Sequence, residues 1–130
     1  MTSPGAGQKI LVVEDEPIIC EICLKVLTEQ GYAVDIASNG HEGAARLEKQ
    51  TYDLVIIDAR MPLMDGKQLY QHILQQYPQM ADRVLMTSGE VVGGDMYVFL
   101  EESGVPFLAK PFTPGDLRKA VEKAIGNRQG

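Results

Sequence analysis

Glu14, Asp15, Asp58, Thr87 and Lys110 stand where four apolar runs of the chain stop. Glu14 and Asp15 follow KILVV (residues 9–13), and Asp58 follows LVII (54–57). Thr87 follows RVLM (83–86), and Lys110 follows VPFLA (105–109). Three carboxylates sharing one hollow would raise each other's pKa by repulsion unless a cation intervened. A hard divalent ion with oxygen ligands suits them. Magnesium is the natural choice, because it takes few protein ligands and keeps its waters. With that ion and Lys110 offsetting charge, a phosphoryl group could approach Asp58, whose carboxylate would act as nucleophile and become an acyl phosphate. Thr87 would donate a hydrogen bond to one phosphoryl oxygen and Lys110 would hold another. Each residue taken singly has a plainer reading: acids favoured at a helix start, a turn aspartate, a turn threonine, a surface lysine. The joint reading rests on the right residue type standing at four strand ends at once.

Those side chains need a frame that delivers them to one edge. The apolar runs read as strands, and helical patterns follow each of them. Pro17 predicts the first turn of a helix whose apolar residues are Ile18, Ile19, Ile22, Leu24, Val26 and Leu27, stopped by Gly31. AVDIA (33–37) predicts a strand. Ser38 or Asn39 would cap the next helix, with Ala44, Ala45 and Leu47 inward. Pro62 forbids continuation of the 54–57 strand. Asp65-Gly66 opens a helix through Gln76, with Leu69, Ile73 and Leu74 inward, and Tyr77-Pro78 ends it. Gly93-Gly94 disfavours helix, so only Met96 to Glu102 reads as a short or mobile one. Thr113 and Pro114 start a last helix, with Leu117, Ala120, Val121, Ala124 and Ile125 inward and Gly126 as its stop. The alternation predicts an α/β fold of (βα)5 order: a doubly wound, five-stranded parallel sheet with helices on both faces. All strand ends then emerge along one edge, where open α/β sheets bind ligands.

At 130 residues with 45% hydrophobic content, the chain suffices for one domain with a real core. Residues 1–8 read as a disordered lead-in, 9–126 as the domain and 127–130 as a tail. A net charge of −6 argues against direct nucleic-acid binding, and no run is long and apolar enough to span a bilayer. Cys20 and Cys23 lack a second pair or suitably spaced histidines for zinc, and they read as packed on a helix. The cytoplasm is the default compartment.

The motifs VVEDE, DLVIIDARMPLMDG, VLMTSG and FLAKPF together resemble the receiver domains of two-component response regulators, from about Lys9 to Ile125. The resemblance implies a flavodoxin-like, CheY-like fold. It implies that Asp58 accepts a phosphoryl group from a phosphohistidine on a histidine kinase or histidine phosphotransfer domain, as in a phosphorelay. Asp15 and Asp58 would bind magnesium directly, Glu14 through water, and the backbone carbonyl of Arg60 would be a further ligand. Thr87 and Phe107 would form the switch, with Phe107 standing where the family often has tyrosine. Arg60 and Gly89 would flank the path of a hydrolytic water, with Glu90 a candidate partner for Arg60. The FLEESGVPFLAKPFTPGDLRKAV stretch looks like receivers attached to hybrid histidine kinases, and a monomer or weak dimer is expected. Slow autodephosphorylation would make such a switch only partly an enzyme. The rivals are an aspartyl-phosphate hydrolase, a flavin-binding module and a receiver that is not phosphorylated. A hydrolase typically wants an acid where Arg60 stands, and Glu14-Asp15-Glu16 would repel a flavin phosphate. A P-loop nucleotidase is excluded by the absence of Gly-Lys-Ser/Thr.

Overall fold

The computed structural model describes residues 7–61, 63–89 and 94–129, the last three of these by backbone alone. The strands are β1 (Lys9–Val13), β2 (Ala33–Ala37), β3 (Leu54–Asp58), β4 (Val84–Ser88) and β5 (Phe107–Ala109). The helices are α1 (Pro17–Glu29), α2 (Gly40–Lys49), α3 (Gly66–Gln76), α4 (Gly94–Ser103) and α5 (Pro114–Gln129), with a 3₁₀ turn at Pro78–Met80. All strand pairs are parallel, in the order β2-β1-β3-β4-β5. The expected α/β architecture is the observed one.

Alternation along the strands explains the two layers. Ile10, Val12, Leu54, Ile56 and Leu85 meet Cys23, Val26 and Leu27 of α1 and Leu117 and Val121 of α5. The intervening residues Leu11, Val13, Val55, Ile57, Val84 and Met86 face the other way and pack with Leu47 of α2 and with Leu69, Tyr70 and Ile73 of α3. β3 and β4 are buried throughout, as a strand covered on both faces must be. α4 contributes no fully buried residue. It leans on the core through the half-buried Met96, Phe99 and Leu100. The Phe99 ring meets Tyr70 edge-on at 5.6 Å, and the Lys67 ammonium lies 5.8 Å from its centroid.

Several sequence expectations are corrected. Ile18 and Leu24 are exposed, because only one stripe of α1 reaches the sheet and the apolar residues outnumber its width. Leu74 is exposed and Tyr70 is buried in α3, and Ala45 of α2 faces solvent. Arg83 precedes β4, whose pairing extends through Thr87 and Ser88. Val105 and Pro106 precede β5. α4 starts at Gly94 and ends at Ser103, longer than expected. α5 continues through Gly126 to Gln129, since a single glycine weakens a helix without ending it. The expectations for residues 1–6, Pro62, Glu90, residues 91–93 and Gly130 lie outside the described residues.

Local chemistry sets the helix starts. Asn39 caps α2 by accepting the Glu42 N–H at 2.9 Å. Asp65 caps α3 in a reciprocal box, accepting the Gln68 N–H while the Gln68 side chain accepts the Asp65 N–H, both at 2.9 Å. Between Asp58 and that cap the backbone passes through Leu63, at φ 71°, a left-handed conformation costly for a branched side chain. Cys20 is half-buried and Cys23 buried, and both are free thiols. Burial pushes the Cys23 thiol up to about 12, so it behaves as a core side chain.

Candidate functional site

Parallel strands bring four chain segments to one rim. Glu14 follows β1, its N–H held by the Ala37 carbonyl at 2.9 Å. Asp58 closes β3, directly opposite Thr87 in the β3–β4 register. The Ala59 N–H donates to the Thr87 carbonyl at 2.8 Å, so the ladder runs past the carboxylate. Lys110 follows β5, its N–H donating to the Ser88 carbonyl at 2.9 Å, and its bond to Pro111 is cis.

The side chains converge. The Lys110 Nζ lies 2.8 Å from Glu14 Oε1, 3.1 Å from Glu16 Oε1 and 3.4 Å from Asp58 Oδ2. Glu14, Asp58 and Thr87 are buried, whereas Asp15 and Glu16 are exposed at the mouth. The Arg60 N–H donates to Asp58 Oδ1 at 3.2 Å, and the Glu16 N–H to Glu14 Oε2 at 3.1 Å. One carboxylate oxygen each from Glu14, Asp15, Glu16 and Asp58 fall within 4.8 Å of one another. Oxygen donors so grouped, two buried and two open to water, fit a hard cation that retains part of its hydration. Phe107 is half-buried against the same core cluster as Met86. Arg60 and Gly89 are both exposed.

Glu14, Asp15, Asp58 and Lys110 therefore come together as the sequence suggested, with Thr87 beside Asp58 in the sheet. Sequence reasoning missed Glu16 as a member of the group. In the sequence Glu16 reads as one of three successive acids, and nothing local reveals a partner 94 residues away.

Crowding shows in the electrostatics. Burial pushes the Glu14 carboxyl up to about 7, although the Lys110 hydrogen bond draws it down. Asp58 is raised too, again chiefly by burial, while Arg60, Lys110 and Glu14 act in the opposite sense. Burial alone would lower the Lys110 amine, but its bonds to Glu14 and Glu16 raise it, so it stays charged. Folded Glu14 thus holds a proton that an unfolded carboxylate releases. The metal-free protein should lose stability through Glu14 as pH rises from the usual carboxylate range through about 7. Lys110 adds no slope there. Melting curves in chelator should show wild type losing more stability than Glu14→Gln between about pH 5 and about pH 8, with equal losses as the contrary result.

The family model for the response regulator receiver domain matches residues 10–122. The chain belongs to that family. Receiver domains are phosphoacceptor signalling domains of two-component systems, and they interact with histidine kinases or phosphotransfer proteins. This receiver is 32% identical over 122 residues to the Transcription factor SKN7 of Saccharomyces cerevisiae, covering 94% of the chain and 19% of that protein. The chain spans half or less of the length of such curated relatives. A CheY-like receiver structure from Methanospirillum hungatei superposes with a TM-score of 0.84 at 27% identity, covering 94% of this chain and 96% of that one. The receiver of a sensor histidine kinase from Pseudomonas aeruginosa, solved with magnesium in its active-site cleft, gives 0.82 at 30% identity, covering 93% and 99%. Among the described residues of this receiver, no helix is long and apolar enough to cross a membrane.

Proposed function

We propose that this receiver is a magnesium-dependent switch in which Asp58 takes a phosphoryl group from a phosphohistidine of a cytoplasmic kinase or phosphotransfer partner. The observation that carries the reading is the Lys110 ammonium, 3.4 Å from Asp58 Oδ2 and 2.8 Å from Glu14 Oε1. A cation that close lets a carboxylate meet an anionic phosphoryl group without prohibitive repulsion.

Glu14, Asp15, Asp58 and the Arg60 carbonyl would hold the magnesium ion, which when bound neutralises phosphoryl oxygens. Asp58 supplies the nucleophilic oxygen, and the Arg60 N–H on its other oxygen fixes its orientation. Lys110 and Thr87 hold the transferred group's oxygens. Withdrawal of the Thr87 hydroxyl toward the phosphoryl group would leave room for the Phe107 ring to move inward. That would shift a pre-existing equilibrium of the β4-α4-β5-α5 region. The phenyl ring does this by packing alone, having no hydroxyl.

The test is an intact-mass measurement after incubation with acetyl phosphate and magnesium. Wild type should gain one phosphate and Asp58→Asn none. A gain in the variant places the acceptor elsewhere, and rapid multiple turnover identifies a hydrolase instead.

A further inference from the structure

We propose that Glu16 is a positioning residue for phosphoryl uptake: it holds one hydrogen of the Lys110 ammonium and must release it for the incoming group. The inference deepens the reading above and rests on it.

An ammonium has three hydrogens to donate. Around Lys110 three carboxylate oxygens stand at 2.8, 3.1 and 3.4 Å, from Glu14, Glu16 and Asp58. The lysine side chain is 13% exposed, so little water reaches it. Glu14 and Glu16 thus engage the ammonium by hydrogen bonds and Asp58 by charge, so a phosphoryl oxygen seated on Lys110 competes with these acids. Glu14 is the costly choice. Its side chain is 3% exposed, and a buried carboxylate stripped of its cation has no solvent to replace it. Asp58 is the residue on which the group arrives. Glu16 is 56% exposed, so water can take over its carboxylate the moment the lysine leaves. Nor does its side chain hold the start of the helix. Glu16 precedes α1 as its cap residue, yet its side chain makes no capping hydrogen bond.

With acetyl phosphate as donor, an Asp58 oxygen forms a bond to phosphorus as the bond from phosphorus to the acetyl oxygen breaks. Acetate leaves with that electron pair. No proton is needed, and charge is conserved between an acetyl phosphate dianion plus carboxylate and an acyl phosphate dianion plus acetate. As the group seats, Lys110 turns from Glu16 to a phosphoryl oxygen. Glu16 thus acts as a catch on the lysine, and its charge also opposes the approach of an anionic donor.

The sign is unusual for an acid in a phosphoryl site, because removing it should help. Glu16→Gln and Glu16→Ala should both take up phosphate from acetyl phosphate about two- to fivefold faster than wild type at saturating magnesium, the scale of one exposed ion pair. Their magnesium affinity, titrated directly without donor, should weaken by less than about tenfold, the effect of neutralising an exposed acid beside the ion without removing a ligand. A residue with only a structural role would leave uptake unchanged or slow it. Uptake that is unchanged or slower in both variants overturns the proposal. So does a magnesium affinity weakened about tenfold or more, which would make Glu16 a metal ligand. If wild type gains its phosphate while the variants gain no speed, this inference alone fails. If wild type gains none, the switch reading fails and takes this one with it.

Discussion

Lys110→Met should slow phosphoryl uptake about 100- to 1,000-fold, the cost of losing one preorganised partner for developing charge. The same change should tighten magnesium binding. Methionine keeps the length and the apolar stem of lysine, so packing is conserved while the charge is lost. In the wild type the ammonium lies 3.4 Å from Asp58 Oδ2 and 2.8 Å from Glu14 Oε1, among the oxygens a divalent ion would use. It offsets the repulsion of those acids and repels a second cation. At an effective dielectric constant of about 20, unit charges about 4 Å apart interact by about 4 kcal/mol. Screening and rearrangement reduce that figure, leaving an affinity gain of about tenfold as the expected outcome. The titration belongs above about pH 8, where Glu14, raised to about 7, is ionised in the wild type. Opposite movements of uptake and affinity are the signature. Uptake within about threefold of wild type would remove Lys110 from the chemistry.

Gly66→Ala should destabilise the fold and impair Asp58 together. A Cβ on Gly66 would lie 2.6 Å from the Asp58 carbonyl oxygen, 2.7 Å from the Ala59 Cα and 3.1 Å from the Met86 Sδ. The two closest neighbours are backbone at the end of a buried strand, so no side chain can rotate away. Alanine improves intrinsic helix propensity by about 1 kcal/mol over glycine, which opposes the effect. Overpacking of about 1–3 kcal/mol should outweigh it, because α3 or the β3 terminus must shift. Either shift strains the Gly66 N–H bond to the Ala59 carbonyl, 3.1 Å long, and moves the Asp58 carboxylate relative to Lys110. Urea unfolding should show a lower midpoint at an unchanged slope, and acetyl phosphate uptake should fall in parallel. A variant as stable as wild type, with full uptake, would mean the helix backs away without cost.

The strand ends were legible because a parallel sheet converts sequence position into spatial position. Once KILVV, LVII and RVLM are strands, Glu14, Asp58 and Thr87 must share an edge, and Lys110 needs only the fifth strand to join them. Features set by distant packing were not legible. The apolar residues of α1 exceed the width of the face it buries, so composition could not say that Ile18 and Leu24 would be left out. Glu16 looked like one more acid at a helix start, and only the arrival of Lys110 gave it a partner. Leu63 is of a type that rarely takes a positive φ, so no residue preference announces the left-handed turn before Asp65. Gly126 invited a helix stop that the chain ignores, because local propensity there is weaker than the continuing helix.

α4 sits on the molecule with none of its residues fully buried, tethered chiefly by Met96, Phe99 and Leu100. A segment anchored so lightly should open at a small fraction of the free energy that unravels β1 or β3, and its amides should exchange with solvent before those of the two strands. A visiting protein that prefers α4 in a different seat therefore needs only slight favouritism between the two poses to capture it. The shallow purchase of one helix gives the fold a soft corner while its strands stay put.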